Sequence, residues 1–188
     1  MPRKAESKRE DNFFDVCSRC KTSFGCCLGT RPPITQQRRK TIEEYLRNRG
    51  SQPVNAFSET EYISPRENLK GYCIFHDMKT RKCLIHSVKP ETCVAGPITF
   101  DINRKTKKIE WHVKMEQICQ LAGTVYNNKK ALEQHLRSAK KEILTLVREL
   151  DAASLKAILK KDEPETFKIG EDTIEEEILD KLEYLTYA

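Results

Sequence analysis

The chain has 188 residues, 38% of them hydrophobic and 33% charged, with a formal net charge of +6. This composition excludes an intrinsically disordered polymer and suits one domain with an appendage. No stretch approaches the ~18 consecutive apolar residues of a membrane span, and the opening MPRKAESKRED has no apolar signal core behind it, so a cytoplasmic protein with no membrane contact is expected.

Taken in chain order, residues 1–11 read as a charged tail. The stretch FFDVCSRCKTSFGCCLG then shows no sustained period and reads as a loop, ended by Pro32 and Pro33. Thr35 can cap a helix running to about Arg49, with Gly50 as its stop. The few apolar residues in it (Ile42, Tyr45 and Leu46) leave one face to pack. Residues 51–69 read as irregular. The runs YCIFH at 72–76 and KCLIH at 82–86, separated by charged DMKTR, predict a hairpin. Ser87 can cap a short helical turn through Pro90, Glu91 and Thr92 to Cys93. ITFDI at 98–102 and KIEWHV at 108–113, flanking NRKTK, predict a second hairpin.

The remainder reads as helical. Asn127 or Asn128 can cap a long helix in which Leu132, Leu136, Ala139, Ile143, Leu146 and Leu150 step by four and three, a heptad seam. Asp151 to Lys161 continues as helix after a break. Pro164 and Gly170 bracket a linker, and Ile174, Ile178, Leu182 and Leu185 form a last amphipathic helix. The fold class expected is α+β: a small irregular cysteine-rich metal-binding core with short hairpins, followed by α-helices. Its parts are a tail at 1–11, a metal-binding domain at 12–125 and a helical region at 126–188. The charge is uneven along this order, basic at 1–10, 36–48 and 103–114 and acidic from Asp162 onward. Solvated faces explain such runs most simply; an acidic partner or nucleic acid is the sharper alternative.

The chemistry lies in eight cysteines: Cys17, Cys20, Cys26, Cys27, Cys73, Cys83, Cys93 and Cys119. The first four read C-x2-C-x5-C-C. A C-x2-C turn brings two thiolates to one metal because the intervening amides fold back toward the sulfurs. Neighbouring side chains point apart, so either Cys26 and Cys27 serve different centres or one of them is reserved for redox or packing. Cys73, Cys83 and Cys93 recur every ten residues. An even count permits disulfides, but a reducing compartment disfavours them. The remaining readings are four-cysteine zinc sites, or one or two iron–sulfur clusters each held by four thiolates. Spacing alone does not separate zinc from iron. All eight cysteines are candidate metal ligands.

His76 and His86 each follow a cysteine by three residues, which makes a Cys/His zinc site conceivable; as cluster neighbours or packing groups they need no further role. His112 reads as a strand residue, and His135, off the heptad seam, as exposed. No nucleotide-binding glycine loop and no C-x3-C-x2-C motif occurs. Pro90 fixes the backbone ahead of Cys93, and Lys89 can offset thiolate charge.

Taken together, CSRCKTSFGCC at 17–27, the proline-led helix RPPITQQRRKTIEEYL, GYCIF, KCLIH, KPETC and Pro97 resemble the YkgJ-type cysteine-cluster family. These CxxCxxCC proteins are zinc- or iron-chelating domains, and the likeness covers roughly residues 13–125. The sequence departs from the family pattern in the five residues between Cys20 and Cys26, where two or three are more usual. The resemblance implies a cysteine-held metal centre, iron–sulfur in some members. It extends to the cysteine-rich region of flagellin lysine-N-methylases. The expected function is an iron–sulfur or zinc protein in electron transfer, or in maturation or redox support of a protein partner. The rivals are a protein-modifying enzyme such as a lysine N-methyltransferase, and a zinc-stabilised interaction module.

Overall fold

The computed structural model describes residues 27–51, 54–161 and 165–183. The expected tail at 1–11, Cys17, Cys20, Cys26, Pro164 and Leu185 lie outside the described residues. The fold is α+β, with helices and two small antiparallel sheets.

Helix α1 (Gln36–Arg47) begins where Thr35 Oγ1 accepts the Arg38 N–H at 3.0 Å. This satisfies one of the donors a helix start leaves open. Gly50, at φ +73°, ends it in the left-handed region that glycine adopts without strain. Within the segment read as irregular, β1 (Phe57–Glu59) and β2 (Ile63–Pro65) pair antiparallel, Ser58 opposite Ser64. Three residues per strand are too few for alternation to show in the sequence. Ile34, Ile42, Ala56, Phe57, Phe75 and Ile85 form a small core here, and Cys73 and Cys83 pack against it.

The hairpin predicted over 72–86 is not a pair of strands. His76 and Cys83 form one isolated antiparallel bridge. The His76 N–H donates to Cys73 O at 2.8 Å, closing a turn where the first strand would run. The reversal is made by Asp77, whose carboxylate accepts from the Lys79 N–H at 2.9 Å and from Thr80 Oγ1 at 2.6 Å. A 3-10 turn (His86–Val88) and helix α2 (Glu91–Ala95) follow; α2 starts after Pro90 and uses no side-chain cap from Ser87.

The second predicted hairpin is present as β3 (Ile98–Asn103) and β4 (Lys108–Lys114). In β4 burial alternates strictly, with Ile109, Trp111 and Val113 inside. Each such side chain contributes about 1.5–3 kcal/mol of burial free energy. Helices α3 (Gln120–Tyr126), α4 (Lys129–Glu149) and α5 (Ala152–Leu159) follow. Asn128 and Asp151 cap the latter two, each accepting a backbone N–H three residues on. Residues 166–173 are not a linker but strand β5 (Thr166–Thr173), which pairs with β4 and completes the sheet order β3-β4-β5. Its signal is weak because its residues are only half-buried or exposed, with no inward alternation. Helix α6 (Glu176–Glu183) then buries Ile178 and Leu182.

The larger core runs from Ala95 to Leu182 and packs the sheet against the helices. The heptad seam of α4 holds through Ala139, Ile143 and Leu146, but the buried stripe also takes in His135, which the sequence placed outside. Position 135 precedes Ala139 by four residues and Ile143 by eight, so it lies on the same helical face. His135 Nε2–H donates to the carbonyls of Ala95 and Gly96, at 2.9 and 3.1 Å. These bonds end α2 against α4.

Candidate metal centre

Four segments bring cysteines together. Asn68 Oδ1 accepts the N–H groups of Lys70 and Tyr72, at 2.9 and 3.1 Å, and Gly71 takes φ +78°. This tight turn folds Cys73 back against Glu67. The Cys73 N–H donates to Cys27 O at 2.8 Å, and the Gly29 N–H to Gly71 O at 2.9 Å, so the first cysteine segment is laced onto the second. The bridge to His76 sets Cys83 alongside. Cys93 arrives on α2, whose next turn carries Ala95 into the larger core.

These thiols act on one another electrostatically. Burial pushes the Cys93 thiol well up; the Lys89 ammonium opposes this, and the charges of Cys73, Cys83 and Cys27 reinforce it. Burial likewise pushes Cys73 up to about 11, against the pull of the Phe75 amide and with added repulsion from Cys83 and Glu67. An amide donating to a cysteine sulfur two residues earlier is a bond that stabilises a metal-bound thiolate. Desolvated, clustered thiols remain protonated in the absence of a cation, and a soft metal ion reverses that preference by taking the place of the protons. The donor set therefore fits a thiolate-held metal. Lys89, itself buried, supplies a positive charge beside it.

Among the described residues, no three Cys, His, Asp or Glu side chains stand in closed metal-binding geometry. The sequence also names Cys17, Cys20 and Cys26, outside the described residues, as ligands. Cys119 directly precedes α3, without a side-chain capping bond, and is buried in the larger core with Ala95, Leu121 and Ala122. The described cysteines are thiols, not disulfides. His86 sits half-buried in the 3-10 turn. His112 is in β4, as the sequence predicts.

In the sequence His76 reads as a cluster neighbour or packing group, with a Cys/His zinc site as the alternative. It is buried and stacked on Tyr72, with ring centroids 4.8 Å apart, yet among the described residues neither ring nitrogen has a hydrogen-bond partner. A buried polar group left unpaired costs about 1–3 kcal/mol. Glu91 is the other surprise. Its carboxylate, buried beneath α1, accepts from Thr35 Oγ1 at 2.7 Å and lies 3.5 Å from Arg38 Nε. Both positions belong to segments in which the eye follows cysteines, and only their tertiary surroundings single them out.

A family model described as "CxxCxxCC: Putative zinc- or iron-chelating domain" matches residues 16–120. That span contains every cysteine of the chain. No curated protein and no solved structure matches.

Proposed function

The chain belongs to the CxxCxxCC family of metal-chelating domains, and from that premise we propose that it is an iron–sulfur protein that passes single electrons to, or supports the redox state of, a protein partner. The observation that carries this reading is the convergence of four cysteine-bearing segments: the Cys73 N–H donates to Cys27 O, Cys83 bridges to His76, three residues after Cys73, and Cys27, Cys73 and Cys83 all act electrostatically on Cys93. Soft thiolates in that number suit an iron–sulfur cluster, whose chemistry is reversible one-electron transfer.

The chain's own residues perform the rest. The Phe75 amide and the Lys89 ammonium stabilise negative charge on the sulfurs, and both raise the potential at which such a centre accepts an electron. Leu28, Ile74 and Leu84 each directly follow a cysteine and are 38%, 42% and 53% exposed. Exposed apolar side chains in the cysteine segments offer a partner protein a contact surface. Among the described residues no helix is long and apolar enough to cross a membrane.

The test is anaerobic purification followed by iron, sulfide and zinc analysis and a visible spectrum. Brown protein with broad absorption that bleaches on reduction is the expected result. Colourless protein carrying stoichiometric zinc overturns the iron reading and leaves a zinc-stabilised interaction module.

A further inference from the structure

We propose that His76 is a nitrogen ligand of the metal centre, so that the site is mixed thiolate and imidazole rather than all-thiolate. The inference rests on the metal-binding reading above and adds a donor that the cysteine pattern does not contain.

The Leu84 N–H donates to Phe75 O at 2.8 Å, and the Asp77 N–H to Lys82 O at 2.9 Å. These two bonds flank the bridge between His76 and Cys83. The two residues are therefore a non-hydrogen-bonded antiparallel pair, the narrow kind, whose side chains project to one side of the ribbon and approach closely. Cys83 in turn acts electrostatically on both Cys73 and Cys93. The imidazole thus shares the face of the ribbon that carries the thiol cluster.

The ring is also held and unsatisfied. It is 6% exposed, and Tyr72 stacks on it at an interplanar angle of 14°. In a neutral imidazole one nitrogen is a donor and the other carries a lone pair; here both are buried and neither is bonded among the described residues. Burial of a polar ring at this cost is explained when the lone pair serves a metal, which accepts imidazole as readily as thiolate in zinc and in some iron–sulfur sites. A neutral imidazole in place of a thiolate removes one negative charge from the centre, which in the iron case raises its potential.

The experiment is X-ray absorption at the edge of the metal the full-length chain carries, on the wild type and on His76→Phe. The phenylalanine keeps a ring against Tyr72 and removes both nitrogens. The wild type is expected to show a light-atom shell inside the sulfur shell, for zinc at ~2.0 Å against ~2.3 Å. In His76→Phe that shell should vanish and metal affinity should fall at least about tenfold. A sulfur-only shell in the wild type, or an unchanged spectrum and affinity in the variant, overturns the assignment of His76 while leaving the metal reading in place. A wild-type chain that holds no metal overturns both. Should the variant not fold, the wild-type spectrum decides alone.

Discussion

Thr35 and Glu91, 56 positions apart, share a buried hydrogen bond of 2.7 Å in which the threonine hydroxyl donates to the carboxylate. The same oxygen accepts the Arg38 N–H that starts α1. One side chain thus caps a helix and holds the short helix that carries Cys93. Arg38 extends the link to Glu142 on α4. Thr35→Val keeps the shape and removes both bonds. The expected loss is on the order of 2–3 kcal/mol, combining a lost cap with a stranded buried carboxylate. Thr35→Ser should restore most of it. Urea unfolding of the three proteins measures this.

Serine replacement at Cys73, Cys83 or Cys93 exchanges a soft thiolate for a hydroxyl that scarcely ionises. Each variant is expected to lose metal or become insoluble. Cys119→Ala, in the larger core, should retain metal and lose at most a modest amount of stability. Metal per chain by elemental analysis checks the set, and full retention in all three of the first group would refute a shared site.

Burial, assisted by the nearby Lys89 charge and opposed by the Ala95 and Gly96 carbonyls, holds the His135 imidazole below its ordinary value. A lowered folded-state value means the unfolded chain binds the proton more readily. Stability from neutral His135 is therefore complete above ~6.5, the unfolded value, and is lost as pH falls through the folded value. Between pH 7 and 5 the wild type should lose stability more steeply than His135→Gln. Equal slopes would remove His135 from the explanation.

Ending the chain at Lys161 deletes β5 and α6. That uncovers one edge of β4, takes away the Asp172 carboxylate that accepts from Trp111 Nε1 at 2.7 Å, and strips Ile178 and Leu182 from the core. Trp111 is the chain's only tryptophan, so near-ultraviolet circular dichroism and fluorescence report on it directly. Loss of the fixed tryptophan signal and aggregation are expected. A native-like signal would mean that β5 only decorates the sheet.

Chelation should open the region from Cys27 to Cys93 before the larger core. The smaller core rests on few buried residues, whereas the larger one has its own sheet and helices. Hydrogen exchange with and without chelator should show protection falling in the cysteine segments while Ile109, Trp111 and Ile143 stay protected. Uniform loss would indicate a single cooperative unit.

What the sequence determined by itself was written in short-range pattern. Thr35, Asn128 and Asp151 mark helix starts, because a capping side chain reaches only the next turn. ITFDI and KIEWHV, flanking a polar NRKTK, mark the hairpin that β3 and β4 form, because both runs and their turn are local in the chain. The cysteine spacing pointed to a metal-chelating family, because such turns bring sulfurs to a shared point. Tertiary structure alone decided the rest. Strand β5 exists because β4 offers it an edge, not because Thr166–Thr173 has a strand's burial pattern. His135 is inside because carbonyls of a distant turn await its proton. The predicted hairpin gave way to a single bridge because the chain turns over Cys73–His76, where the His76 N–H donates to Cys73 O. The isolation of His76 and the burial of Glu91 follow from which segments meet, since a hydrogen-bond partner many residues away leaves no periodic trace in the chain.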